Sequence, residues 1–351
     1  MVVTESASTK RPTCSSCSKP ACLCLCSRLR TPILHNPVAV TVLQHSLEKN
    51  HPLNSTRIAK IGLKNVDVVT VSDVNFQAQF SVRLVDSSCG NDGVEYDESR
   101  HLFDEMPSKG KNDEFLETAI LGVGECGVDD TDLEGRVVEG NEFNGDARRG
   151  LCQNVTNLSG TDSSMNFTVV KYGTMSAFSK FQEMSFDQLL ASSAAVDEIR
   201  KGFVVKKLQV KQLEGIDECE ESEEFEIQVP AGSVLLFPSE RSVDAEALSF
   251  EVKNLIVLDG TWAKAKRMYN ENPWLRLLPH LRLDLGKLSL YNEVRQQPRA
   301  GYLSTIESIV YAMKAVGEDA DGLDGLLDVF ESMVGDQRRY KNERLSKVAE
   351  E

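Results

Sequence analysis

Leu255-Ile256-Val257-Leu258-Asp259-Gly260-Thr261-Trp262 carries an apolar run straight into an acid, a glycine, a hydroxyl and one of the chain's two tryptophans. The run reads as a buried strand, and a buried strand that ends on an acid belongs to an open α/β sheet, whose ligands bind in the crevice outside the carboxyl ends of its strands. Asp259 is expected in that crevice. The residues that follow have helical spacing, with Trp262, Ala265 and Tyr269 on one face and Lys264 and Arg267 turned elsewhere. A bland reading stands beside this one: Thr261 caps the helix and Asp259 braces the turn. The phosphotransferase pattern that also contains Asp-Gly-Thr needs a nucleophilic carboxylate two residues earlier. Val257 occupies that place and excludes it.

Composition places the chain among globular proteins: 351 residues, 41% hydrophobic and 26% charged. No run reaches the roughly eighteen apolar residues of a membrane span, and Met1-Val2-Val3-Thr4-Glu5-Ser6 lacks the basic and apolar regions of a secretory leader. An intracellular protein that meets no membrane is expected. Of its nine cysteines, Cys14, Cys17, Cys22, Cys24 and Cys26 lie close together. Intracellular thiols stay reduced, so clustered ones point to metal. Cys14 with Cys17 and Cys24 with Cys26 form two short pairs that can give four thiolates to one tetrahedral zinc, leaving Cys22 spare. A run of reduced cysteines on a loose tail is the alternative.

The net charge of −15 disfavours nucleic acid until its distribution is read. Residues 1–85 hold ten basic and four acidic side chains; 86–228 hold thirteen and thirty-one; 229–351 hold sixteen and nineteen. The excess acidity lies in the middle. Within 253–299, beside Asp259, nine basic residues face four acids, which fits a basic patch or merely a solvated face.

Elsewhere Val38–Leu43 reads as a second buried strand ending on Gln44 and His45, followed by a helix over Arg57–Leu63 behind Asn54-Ser55-Thr56. Each of His45 and His51 reads as a structural or surface residue rather than a ligand. Ser233–Glu240 is a third strand with a polar end, with Ser239 capping a helix over Val243–Leu248 or facing the crevice. Residues 86–165 read as a disordered or variable insertion, with Cys89, Cys126 and Cys152 unpaired. Short strands are expected at 167–171 and 202–211 with a helix over Phe186–Arg200, and the acids of 218–226 break the pattern again. Leu281–Leu283 reads as a short strand, and Ser304 with Glu307 has capping-box spacing at the head of a helix through Met313.

The order of these motifs (paired cysteines, a strand ending Leu-x-His, Phe-Pro-Ser-Glu, Asp-Gly-Thr-Trp, Asn-Pro-Trp-Leu and Ser-Thr-Ile-Glu) resembles the DTW-domain proteins, which include tRNA-uridine aminocarboxypropyltransferases. The resemblance implies an α/β fold with a SPOUT-like, knotted sheet and flanking helices, plus a small N-terminal Cys-rich zinc segment. Its domains would be a flexible N-terminus and zinc segment over 1–27, a catalytic domain over 28–85 and 229–345, an acidic insertion over 86–228 and a tail over 346–351. It further implies transfer of the 3-amino-3-carboxypropyl group of S-adenosylmethionine to N3 of a tRNA uridine.

Under that resemblance Asp259 is the candidate general base, Thr261 orients it or a carboxylate of the cofactor, and Trp262 stacks on a base or lies in the core. Leu236, Phe237, Pro238 and Ser239 would line the cofactor pocket. Arg295 would hold the cofactor carboxylate, and Ser304, Thr305 and Glu307 would close the site. Cys14, Cys17, Cys24 and Cys26 would hold zinc. Arg28, Arg30, Lys264, Lys266 and Arg267 would meet tRNA phosphates. Two other classes fit the residues: a SPOUT-type RNA methyltransferase, and a non-catalytic zinc-containing RNA-binding protein.

Overall fold

Alternation along the apolar runs decides where everything else sits. In the computed structural model, which describes residues 12–30, 32–85, 164–171, 175–176, 193–212, 219–284, 286, 289–293, 302–317 and 322–350, the run at 255 is the middle of a strand. The strands are β1 (Ala39–His45), β2 (Val66–Val71), β3 (Gln77–Leu84), β4 (Ser164–Val170), β5 (Met175–Ser176), β6 (Gly202–Gln212), β7 (Cys219–Pro230), β8 (Ser233–Leu236), β9 (Ser242–Val243), β10 (Asn254–Asp259) and β11 (His280–Leu281). The helices are α1 (Thr56–Gly62), α2 (Ser193–Arg200), α3 (Trp262–Glu271), α4 (Thr305–Ala315) and α5 (Leu323–Glu350). The described residues belong to one compact unit.

Six strands form a sheet in the order β2-β1-β10-β8-β11-β9, every pair parallel. Such a sheet is covered on both faces, so its strands are apolar throughout rather than alternating. Period two then divides the side chains. Leu255 and Val257 join Val40, Val42 and Val234 in a core with α1, α4 and α5. Ile256 joins Leu43, Leu235, Met268 and Trp274 in a second core beneath α3 and the other sheet. Burying each large apolar side chain contributes about 1.5–3 kcal/mol. Asp259 shares the parity of Leu255 and Val257, and Gln44 that of Val40 and Val42, so both polar ends emerge on the α4 side.

The second sheet is antiparallel, in the order β5-β4-β3-β6-β7. Its strands β4, β5, β6 and β7 come from 164–230, all but the last two residues within the stretch expected as an acidic insertion. The acids did not break the pattern at 218–226: β7 runs through them at the sheet edge, with Phe225, Ile227 and Val229 buried and Glu226 and Gln228 exposed between them. Charged side chains suit an edge strand because they discourage further pairing.

Other expectations need correction. Val243–Leu248 is no α-helix: Ser242–Val243 is a short edge strand followed by a 3-10 turn over Ala245–Ala247, so Ser239 caps none. The expected helix from Phe186 is described only from Ser193, and residues 86–163 lie outside the described residues. Two glycines mark tight places. Gly232 takes φ +76° in the β7–β8 turn, and at Gly62 an added Cβ would lie 2.3 Å from Leu326 of α5.

Candidate active site

Adjacent parallel strands place Gln44 and Asp259 opposite one another, since β1 and β10 pair in register Gln44↔Asp259. Gln44 Nε2 donates to one oxygen of Asp259 at 2.8 Å, and Thr305 Oγ1 donates to the other at 2.5 Å. Asp259 is buried at 7% exposure. A carboxylate has about four lone-pair directions, so each oxygen keeps one for a further partner. Thr261 does not orient Asp259. Its hydroxyl accepts from Lys264 N as the N-cap of α3, the bland reading of that residue. Gly260 sits in a tight place between α3 and the end of β1: a Cβ there would lie 3.1 Å from Lys264 Cβ and 3.6 Å from His45 Cβ.

Trp262 is half-buried and packs against Tyr302, ring centroids 4.0 Å apart and planes tilted by 31°, so it lies beside the site and not in the core. Leu236 to Ser239 leave the carboxyl end of β8, the neighbour of β10, and so share an edge with Asp259. Phe237 stacks on Tyr269 of α3 at 4.4 Å, Pro238 is exposed, and the Ser239 hydroxyl accepts from Arg241 N at 3.3 Å. Ser304 and Glu307 form the capping box of α4. The Glu307 carboxylate is further occupied by the Ser289 hydroxyl at 2.6 Å and Leu290 N at 2.8 Å, which ties it to the loop before the site. Arg295 lies outside the described residues.

Three of the five expected phosphate contacts are matched by acids of the fold. Arg28 pairs with Asp336 at 2.6 Å, Lys264 with Glu48 at 3.0 Å, and Arg267 with both Asp73 and Glu271. Arg30 and Lys266 are exposed. Sequence reasoning missed Asp73, which also receives His45 Nε2 at 3.1 Å. Leu47 N donates to His45 Nδ1, so the neutral ring carries its proton on the nitrogen facing Asp73. The loop bearing Asp73 is clamped by acids: Glu224 receives Ser72 N and Glu271 receives Val74 N. Glu224 also pairs with Lys207, which is wholly buried and whose ammonium pKa burial lowers. Tyr302 was missed as well, and only its place two residues before Ser304 hints at it.

The Cys14, Cys17, Cys24 and Cys26 sulfurs all lie within 4.8 Å of one another, a cluster that can hold a metal ion. Cys22 is exposed outside it. Cys17 and Leu25 are buried in the core with α1 and α5, so the module is anchored to the domain. Backbone N–H groups of Cys17 and Ser16 draw the Cys14 thiol down to about 6, whereas burial pushes Cys26 up to about 12. A bound ion would displace these protons, because thiolate is the ligand.

Residues 188–338 match the family model described as the DTW domain. This chain carries a DTW domain. The DTW match begins before α2 and closes within α5, so it takes in β6 and β7, the Asp259 corner and the α4 cap. Among curated proteins the chain resembles tRNA-uridine aminocarboxypropyltransferase 2 of Drosophila melanogaster, 37% identical over 78 residues. That stretch is 22% of this chain and 31% of the relative, so the chain spans about a third of the relative's length. No solved structure matches significantly.

Proposed function

We propose that this DTW-domain chain transfers the 3-amino-3-carboxypropyl group of S-adenosylmethionine to N3 of a uridine in tRNA, releasing methylthioadenosine. The observation that carries the reading is Asp259, a buried carboxylate at the end of the central strand, fixed by Gln44 and Thr305 and, among the described residues, paired with no cation. The name of the partial relative and the DTW match supply the reaction class.

Uridine N3 must lose a proton to attack carbon, and Asp259 is the base within the crevice. The sulfonium of S-adenosylmethionine supplies the electrophilic γ-carbon. Asp259 would take the proton at the lone pair left free on one oxygen. Gln44 and Thr305 hold that carboxylate in one plane, which keeps its orientation as the nucleophile approaches. Trp262, half-buried against Tyr302, would stack on a base. A SPOUT-like threading belongs to this reading and is supported by the all-parallel sheet.

We further infer zinc at the cysteine cluster. Tetrahedral coordination with Zn–S bonds of about 2.3 Å sets the sulfurs about 3.8 Å apart. The Cys14–Cys26 and Cys17–Cys24 separations are both 3.8 Å.

Two labelled donors test the transfer. With tRNA as acceptor, S-adenosylmethionine labelled in its carboxyl carbon should leave label on the RNA, and methyl-labelled donor should leave none. The reverse pattern would assign a methyltransferase, and label from neither donor would leave a non-catalytic RNA-binding protein.

A further inference from the structure

The last turns of α5 leave the core and carry their own chemistry. Within residues 337–348, five basic side chains stand against one acid, Glu343, in a chain of net charge −15. Positions 337, 341, 344 and 348 recur at helical spacing and share one face, about 16 Å long at 1.5 Å per residue. Tyr340, Leu345 and Val348 are 42%, 60% and 72% exposed, and with Lys341 and Arg344 they line a groove of about 450 Å³. Leu53 forms its far wall.

This cationic face differs from the one beside Asp259. Arg28, Lys264 and Arg267 are met by Asp336, Glu48, Asp73 and Glu271, whereas among the described residues Lys341 and Arg344 have no carboxylate partner. Unmatched cations alternating with an exposed aromatic suit a polyanion that also presents flat apolar surfaces. Single-stranded or looped RNA does both: phosphates meet the cations and an unpaired base stacks on the tyrosine.

The groove is also tied to the site. Leu53 lies in the loop that leaves β1 just past Gln44, and its carbonyl accepts the Tyr291 hydroxyl at 2.6 Å. In the same loop Glu48 holds Lys264 of α3, and the Ser55 hydroxyl receives Ile306 N at the head of α4, next to Thr305.

We propose that this α5 groove is an RNA-binding surface that holds the substrate RNA at a distance from the modified uridine. The inference rests on the proposed function for the identity of the RNA. The surface contributes affinity and leaves the chemical step untouched.

The test is tRNA binding by the full chain across a salt series, for the wild type, Lys341→Gln/Arg344→Gln and Tyr340→Ala, with S-adenosylmethionine binding and melting temperature as controls. Each phosphate contact contributes about one unit to the slope of log affinity against log salt. The double variant should bind about tenfold or more weakly, with a slope smaller by about two. Tyr340→Ala should weaken binding severalfold at every salt concentration. Both should keep the cofactor affinity and the melting temperature. Wild-type affinity and slope in the double variant would overturn the proposal. So would loss of binding to phosphatidylserine vesicles with tRNA affinity intact, which would assign the groove to a membrane surface. A wild type that binds S-adenosylmethionine but no tRNA would overturn the functional reading itself, a result visible before any variant is made.

Discussion

The acid at the end of β10 and the acids around the end of β2 are held in opposite ways. Asp259 receives two neutral donors, Gln44 and Thr305. Asp73, Glu224 and Glu271 each face a cation, supplied by Arg267 or Lys207. Glu48 and Asp336 follow the second pattern, paired with Lys264 and Arg28. Charge pairing locks a loop or joins two elements. Neutral donors orient a carboxylate while leaving it able to accept. Glu307 is also held by neutral donors, but three of them, Ser289, Leu290 N and Ser304 N, tie it to the α4 cap and the loop before it, whereas Asp259 has two and keeps room for a further partner.

Asp259→Asn breaks the comparison most directly. Transfer should fall by about 10²–10⁴-fold, the usual contribution of a positioned base, with cofactor binding and melting temperature close to wild type. Single-turnover rates with saturating S-adenosylmethionine measure it.

Glu224→Ala probes the other side. It strands the ammonium of Lys207, wholly buried between the rings of Phe80 and Phe225, and should cost about 3–5 kcal/mol in urea unfolding. Replacing both partners by Met and Leu should restore most of that stability; a double variant as unstable as the single one would mean that the pair's packing, not its charge, matters.

Thr305→Val removes one donor and leaves Gln44. A loss of about 1 kcal/mol, or roughly fivefold in kcat with KM for the cofactor unchanged, is expected. A larger loss would make Thr305 part of the proton path.

The last effect concerns stability against pH. Burial, with Arg241 nearby, holds His280 down at about 4 against an ordinary 6.5. The unfolded chain then binds a proton below pH 6.5 that the folded chain refuses until about pH 4, so stability should decline as pH falls through that window. In His280→Gln the decline of melting temperature over the same window should be shallower.

How much of this was legible depends on the range of the interactions. The parallel strands announced themselves because both their faces are covered, and 255–258 reads as an unbroken apolar run. The α4 cap and the cysteine pairs are local patterns and were equally open. The β7 strand was not, because four exposed residues at its start, Glu220 to Glu223, hide the alternation that begins at Phe225. Thr305 was singled out as closing the site, and its hydroxyl serves Asp259, 46 residues earlier, a pairing that no local spacing encodes. For Thr261 the ordinary reading prevailed, since a threonine before a helix caps it. The basic residues next to Asp259 were visible as charges, but the acids that neutralise them come from β1's loop, the β2 end and α3's own last turn.

The most direct test of the account is nucleoside mass spectrometry of tRNA incubated with S-adenosylmethionine and either wild-type protein or Asp259→Asn. A uridine carrying the aminocarboxypropyl mass is expected with the wild type and almost none with the variant. Equal yields from both proteins, or a methyl adduct in place of the larger group, would contradict it.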